Sequence, residues 1–490
     1  MKTGEAKAGE TGLRLAIAAA LMFALALRVW AFSLWDIHHS DELMQYLEQG
    51  HRLAEGYGLQ PWEDRYGIRN ALIPQFLGLW IWLGDQFAPH GMLPLVLARA
   101  AYAALCSLAL WGAWGIGRAT SPLHGLVALW AASVWYLAVL YQVQLVSESA
   151  ATALILCGAG LLLSSALRPR TLVLAGFLLA LGMLFRLQYA VFVAVLVVPT
   201  LRLDWSKWSW LVAGGLAAML LGALSDLADH RVPFQWVVAN FSMNIGAGRA
   251  ARFGVTGPFE YLRLMAIDLG PFAVAMGLSL IALPRRYWPL VAALAANVVV
   301  HSLVGHKEDR FVWLSTLLIV VLAAIAVLEL VRRWRGAAAP TLTAALAVCL
   351  GWTANSALAE RRSGGVDAFR GGGVITRAVA ALAQHPELCG LVVPEQWRNH
   401  TVTAYTRRPL PFFVAPNTLL DGATPLDPRL AAAANALLAD RPLPGAEAYR
   451  SIECRQRGAV RACLFVRPGT CSPAGGQQWD YQEQLLKNDL

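Results

Sequence analysis

Charge is scarce in this chain. Of 490 residues only 14% are Asp, Glu, Lys or Arg, against roughly a quarter in soluble domains. Apolar residues reach 57% and mean hydropathy is +0.50, which excludes a soluble globular protein and indicates an integral membrane one. Acidic residues are the scarcer sign, 31 against 40 Lys and Arg, leaving a net charge of +9. That surplus lies in short loops between apolar runs, not in a basic patch interleaved with aromatics. It reads as membrane topology, and nucleic acid is dropped as a partner. No internal repeat is visible. No Cys pair has zinc-ligand spacing with supporting His, so no metal site is expected at the cysteines; no cofactor is expected either. No small-residue cleavage site cleanly follows the first apolar run, Leu15 to Leu34, which is also too long for a signal-peptide core. With Lys2, Lys7 and Arg14 before it, the run is expected to be a retained anchor helix.

A spanning helix needs about 20 apolar residues. Candidate spans are 15–34, 92–117, 122–141, 146–166, 171–186, 188–201, 209–228, 263–283, 288–305, 312–331 and 339–358. The expected fold class is therefore an all-α polytopic membrane protein of about eleven transmembrane helices. Basic residues recur at every second connection: Arg118, Arg168/Arg170, Arg202/Lys207, Arg285/Arg286 and Arg332/Arg333/Arg335. The positive-inside rule makes those connections and the N-terminus cytoplasmic. The loops 35–91 and 229–262, the stretch 306–311 and the tail then face the other side. Residues 71–87 are apolar enough to compete as a span, but Pro74 and Asp85 shorten the run. They are read as an interfacial or re-entrant helix inside the first outer loop.

From about residue 359 the character changes. A Gly371-Gly372-Gly373 hinge precedes a helical stretch at 374–384. Apolar β-type runs follow at 389–394 and 410–415, and residues 449–467 alternate around an Arg-Gly turn as a hairpin. The expected division is a membrane domain over 1–358 and a small extramembrane α/β domain over 359–490. Of the seven cysteines, Cys106, Cys157 and Cys349 lie in apolar runs. Cys389, Cys454, Cys463 and Cys471 cluster in the polar tail, and at least one disulfide is expected among them, with connectivity open.

Two polar clusters carry the chemistry. His306-Lys307-Glu308-Asp309-Arg310-Phe311 stands between two apolar runs. Three basic side chains and two carboxylates in one turn at a bilayer edge suit a place that holds a phosphate and keeps its own charges paired. The second cluster opens the loop 35–91: His38-His39-Ser40-Asp41-Glu42, then Gln45, Glu48, His51, Gly56-Tyr57-Gly58, Pro61-Trp62-Glu63 and Ile68-Arg69.

Both stretches resemble glycosyltransferase family 22, the polyprenyl-phosphate-sugar mannosyltransferases of the GT-C superfamily. The hexapeptide matches the family's His-Lys-Glu-x-Arg-Phe. The loop matches its His-Pro-Asp-Glu, Gln, Glu, His, Tyr-Gly, Thr-Trp-Glu and Ile-Arg-Ser series, with Ser40, Pro61 and Asn70 as departures that leave the ionisable residues in place. The resemblance implies a sugar moved from a polyprenyl-phosphate donor, with mannose expected, to a glycan or lipid-linked acceptor. It also implies membrane lipid as partner and no metal. An acceptor hydroxyl needs a carboxylate base, and in the superfamily that acid follows the first helix, where Asp41 stands. Glu42 orients or stabilises. The competing reading of Asp41 is a helix cap. His306, Lys307, Arg310 and Arg186 would hold the donor phosphate, although Arg186 is equally readable as a snorkelling side chain. His39, Glu48, Trp62, Glu63 and Arg69 would bind substrate, with interfacial anchoring the alternative for Trp62. Glu148 is a weaker second-carboxylate candidate, where the family usually carries Asn. Asn240, Asn244, Arg249 and Arg252 lie in the loop 229–262, to which the sequence assigns no role.

Two further readings compete. One is a GT-C transferase for another sugar or a protein acceptor, which no residue here separates from the first. The other is a lipid-sugar transporter, which would place charges midway along broken helices and show repeat symmetry; here the charges cluster at one face and no repeat is visible. The topology has a direct check. A reporter fused after Leu490 is expected to be active outside the cytoplasm, and cytoplasmic labelling there would make 71–87 a true span and overturn the assignment.

Overall fold

The computed structural model describes residues 2–487, with side chains from Glu10 onward. The side chains of Lys2 and Lys7, and Leu490, lie outside that set. The chain folds as two compact units. One comprises the chain up to Phe32 and Tyr102–Val366; the other comprises Ser33–Ala101 and the chain from Asp367.

The first unit is helical. Among the described residues six helices are long and apolar enough to cross a membrane: Glu10–Ala31, Leu93–Arg118, Trp205–Ala228, Glu260–Ala282, Asp309–Trp334 and Leu342–Ser363. Each remaining apolar run expected to span also contains helix, among them Ser147–Leu162, Pro169–Phe185 and Trp288–Ser302. Small residues let these helices approach closely, because lipid offers no hydrophobic drive between them and packing must supply the attraction. A Cβ on Gly176 would overlap the Leu211 carbonyl, and one on Gly214 would overlap the Val173 carbonyl. The helix Asp309–Trp334 is the core element, with most of its length buried. Arg28 is buried where the first helix ends and donates to Gln142 Oε1 at 3.0 Å and to the Ala132 carbonyl at 3.0 Å.

The second unit contains a five-stranded sheet: β1 (Leu391–Pro394), β2 (Phe412–Ala415), β3 (Ala436–Ala439), β4 (Arg450–Arg457) and β5 (Val460–Val466). Its order is β2-β1-β3-β5-β4, with β1 parallel to β2 and β3, and β5 antiparallel to β3 and β4. The two apolar runs and the hairpin read from the sequence are β1, β2 and β4–β5. The strand missed is β3, Ala-Leu-Leu-Ala. Helix formers are held extended there because the strand sits at the centre of the sheet, where pairing on both sides overrides propensity. Two disulfides close the unit, Cys389–Cys471 and Cys454–Cys463, the second joining residues directly opposite in the β4–β5 register. Cys106, Cys157 and Cys349 are free and buried.

The compact units divide the chain differently from the expected boundary at 358/359. Residues 33–101, assigned above to the membrane domain, pack with the tail in the second unit. The physical reason is hydrogen bonding of buried charge. Glu48 is fully buried, and its Oε1 accepts from the Leu59 N–H (2.8 Å), the Thr403 N–H (3.1 Å) and the Thr403 hydroxyl (2.6 Å), while Oε2 accepts from the Ala404 N–H (2.9 Å). Arg407 pairs with Asp85 and with His51 Nδ1. The Thr376 hydroxyl donates to the Trp35 carbonyl at 2.7 Å. The competing span, 71–87, is the helix Leu72–Asp85 of 14 residues, about 21 Å long and short of a bilayer core. It packs on the helix Glu48–Glu55, where a Cβ on Gly50 would come within 2.8 Å of Leu77 Cβ.

Candidate functional site

In the second unit the acidic loop closes on itself. Glu42 is fully buried, and its Oε1 accepts from the backbone N–H groups of His38 (2.9 Å) and His39 (3.2 Å), with Arg99 Nη2 3.6 Å from Oε2. These contacts hold the turn before the helix Glu42–Leu47 and point Glu42 into the fold. Asp41 stands one residue earlier, at the N-cap position, and makes no capping hydrogen bond to that helix. Its Oδ2 lies 4.0 Å from Arg69 Nη2, and its side chain is 18% exposed. Cap and base thus separate structurally: the carboxylate turns to a guanidinium instead of the helix end.

Arg69 is itself positioned, donating from Nη1 to the Tyr46 hydroxyl at 3.1 Å. Glu63 completes the group. It accepts from Gln45 Nε2 at 2.7 Å. Burial, and secondarily the Asp41 charge, raises its carboxyl to about 7 against the pull of Arg69. Asp41, Glu63 and Arg69, three of the residues singled out by the sequence, therefore share one locale.

Others do not join it. Glu48 is fully buried, with its carboxylate on the four donors described above. Trp62 is buried, tilted against Tyr66 at 6.5 Å between ring centroids, so it offers no open stacking face. The His39 ring stands edge-on to His38, whose own ring stacks on Phe369 at 4.1 Å. Arg99 was missed; its only sequence signal is a cation inside the apolar run 92–117.

In the first unit the hexapeptide spans the turn before the helix Trp313–Trp334. Arg310 is buried and donates from Nε to Glu308 Oε2 at 2.6 Å. Glu148, 1% exposed, lies with Oε1 3.1 Å from Arg186 Nη1 and 3.8 Å from Arg310 Nε. The weaker carboxylate candidate is thus the residue that joins both arginines. Both guanidiniums also lie over the Phe311 ring, at 4.6 Å for Arg186 and 5.4 Å for Arg310. A cation over an aromatic face gains about 0.5–2 kcal/mol, and this contact together with the Glu148 pair decides against snorkelling for Arg186.

His306 sets Nε2 2.9 Å from Glu308 Oε1 and Nδ1 3.3 Å from the Gly254 carbonyl. Lys307 does not reach the arginines. Its ammonium donates to the carbonyls of Val304 (2.6 Å) and Thr256 (3.1 Å). Gly254 and Thr256 belong to the loop 229–262, which therefore borders the hexapeptide, a contact no sequence spacing announced. Among the described residues no group of His, Cys, Asp or Glu is arranged to hold a metal ion.

Glu63 gives a pH test. Its carboxyl is near 4.5 unfolded and near 7 folded. Between those values the folded chain binds a proton that the unfolded chain has lost, so stability falls as pH rises from about 4.5 through 7. Glu63→Gln removes the titration. The expected result is a thermal midpoint that rises relative to wild type between pH 5 and pH 8, worth on the order of 1–3 kcal/mol. An equal offset at both pH values would contradict it.

Residues 19–365, well over half of the chain, match the model of the Alg9-like mannosyltransferase family. Among solved structures, the crystal structure of ArnT from Cupriavidus metallidurans bound to undecaprenyl phosphate is similar, with a TM-score of 0.60 and 14% identity over 93% of this chain and 99% of that one. The apo form gives 0.57 and 15%, over 93% and 98%. The Archaeoglobus fulgidus oligosaccharyltransferase complexed with Zn and sulfate gives 0.52 and 13%, over 87% of this chain and 68% of that one. No curated protein matches. At such identities the structural likeness establishes the fold alone, and that fold is GT-C. The family match goes further: this chain belongs to the Alg9-like mannosyltransferase family, and is a membrane glycosyltransferase.

Proposed function

We propose that this protein is an inverting hexosyltransferase that moves a sugar, with mannose the expected one, from a polyprenyl-phosphate donor to a glycan or lipid-linked acceptor. The carrying observation is the pair of buried arginines fixed on one carboxylate. A membrane protein retains two desolvated guanidiniums only where they serve a site or a fold that needs them, and a leaving phosphate is the anion their fork geometry suits. The undecaprenyl phosphate bound to the similar ArnT supports a polyprenyl-phosphate donor.

The roles follow from elementary chemistry. Asp41 takes the proton of the acceptor hydroxyl, with Arg69 Nη2 4.0 Å from its Oδ2. Arg186 and Arg310 stabilise charge on the departing phosphate. Lys307 adds to the positive field from its seat on backbone carbonyls, and His306, held beside Glu308, is a further hydrogen-bonding group at the site. Attack from the face away from the phosphate inverts the anomeric carbon. The reaction takes place on the outer face, with the protein in a bacterial inner membrane and the second unit periplasmic; the two disulfides support an oxidising side.

Transfer from a defined polyprenyl-phosphate sugar, assayed in detergent with and without EDTA, tests the reading. Asp41→Asn keeps shape and capping capacity but not basicity, and is expected to lower kcat roughly 100- to 10,000-fold. Wild-type rates in a well-folded variant would move the base to Glu63. Arg310→Ala is expected to lower kcat/KM roughly 30- to 1,000-fold, with Arg310→Lys also impaired because an ammonium does not reproduce the fork. Unchanged turnover in both would remove Arg310 from the site.

A further inference from the structure

The two carboxylates that face Arg310 are not equivalent. Glu148 starts the helix Ser147–Leu162, whose residues are almost all buried, and is itself 1% exposed. Moving it away from Arg186 and Arg310 would strand charge in a dry interior, at a cost no surface pair faces. Glu308 lies in extended backbone just before the turn that carries Arg310, and its side chain is 27% exposed. It holds Arg310 Nε at 2.6 Å with one oxygen and sits 2.9 Å from His306 Nε2 with the other. Water can solvate a Glu308 carboxylate that swings off, so its release strands less charge than moving Glu148 would.

Charge balance makes the difference consequential. Arg186 and Arg310 against Glu148 and Glu308 sum formally to zero. A phosphate that enters a neutral set meets two carboxylates and gains little unless one withdraws. Only the partly exposed one has somewhere to go.

We propose that Glu308 is an exchangeable counter-ion: it occupies Arg310 in the empty protein, yields that guanidinium to the donor phosphate, and returns to displace the phosphate-bearing product. This rests on the phosphate role given above to Arg186 and Arg310. Glu148 remains in place throughout and positions both guanidiniums. The diester donor carries one negative charge, so the exchange leaves the set neutral. The monoester product carries about −1.5 to −2 near pH 7 and would bind more firmly than the donor. A competing carboxylate tethered two residues from Arg310 opposes that retention.

The test measures binding of a short-chain polyprenyl phosphate to the full-length protein in detergent, with inorganic phosphate as competitor. Glu308→Gln removes the competing charge and keeps the size. It is expected to bind the lipid phosphate about 10-fold tighter, the worth of one charge-assisted hydrogen bond. In turnover, donor KM and kcat should fall together, since release slows. Glu148→Gln is expected to act oppositely, weakening binding because both guanidiniums lose their fixed anchor. If Glu308→Gln does not fold, Glu308→Ala carries the same expectation. Equal or weaker binding by the Glu308 variants, with wild type binding normally, overturns the exchange and leaves the phosphate site intact. Failure of wild type to bind the lipid phosphate at all overturns the phosphate site and the exchange with it.

Discussion

Among the described residues, most buried charged groups of this protein meet an opposite charge or aimed N–H dipoles, and much of the structure is built around that requirement. An unpaired ion in a low-dielectric interior costs several kcal/mol. The chain has few charges to place, and it places many of them in buried groups. Glu148 joins Arg186 and Arg310; Glu42 meets two N–H groups and Arg99; Arg407 meets Asp85 and Glu55. Glu329 takes Arg332 at 2.9 Å. Removing one partner from such a group leaves the other stranded, so these pairs determine which segments must pack together.

Glu48 shows the constraint acting on architecture. Its carboxylate is neutralised not by a cation but by four donors from residues 59, 403 and 404. Burial raises its carboxyl while those hydrogen bonds lower it. The acid thus tethers a segment near the N-terminus to the tail, more than 350 residues away in sequence. In the acidic loop held in this way, Asp41 stands beside Arg69 and makes no capping hydrogen bond to the helix it precedes.

The two polar clusters illustrate a division of labour between fixed and adjustable charge. Deeply buried residues such as Glu42 and Glu148 hold geometry. Partly exposed ones, Asp41 and Glu308, keep access to water and to ligands. The distinction follows from solvation alone: a carboxylate that must change partners needs somewhere to be solvated meanwhile. Sequence spacing does not encode it, because Asp41 and Glu42 are adjacent and chemically alike yet differ in what surrounds them.

Helix positions were readable directly, because a bilayer demands long apolar runs and leaves no other way to satisfy the backbone. The hexapeptide and the acidic loop stood out for the same reason: ionisable residues beside apolar runs are conspicuous. The hairpin of the tail and its cysteine cluster were legible from alternation and composition. Strand β3 was not, since its Ala and Leu residues favour helix and only the neighbouring strands hold them extended. Nor were the partners of buried charge. Arg99 for Glu42, Glu148 for two arginines and Thr403 for Glu48 are contacts across tens to hundreds of residues, and residue type alone cannot select among the available ions. The sequence by itself determined which segments are apolar and where charge is concentrated, because those are local properties of composition. The tertiary structure decided which charge meets which, and hence which acid is buried and which is partly exposed, because pairing depends on distance and desolvation, and neither exists until the chain has folded.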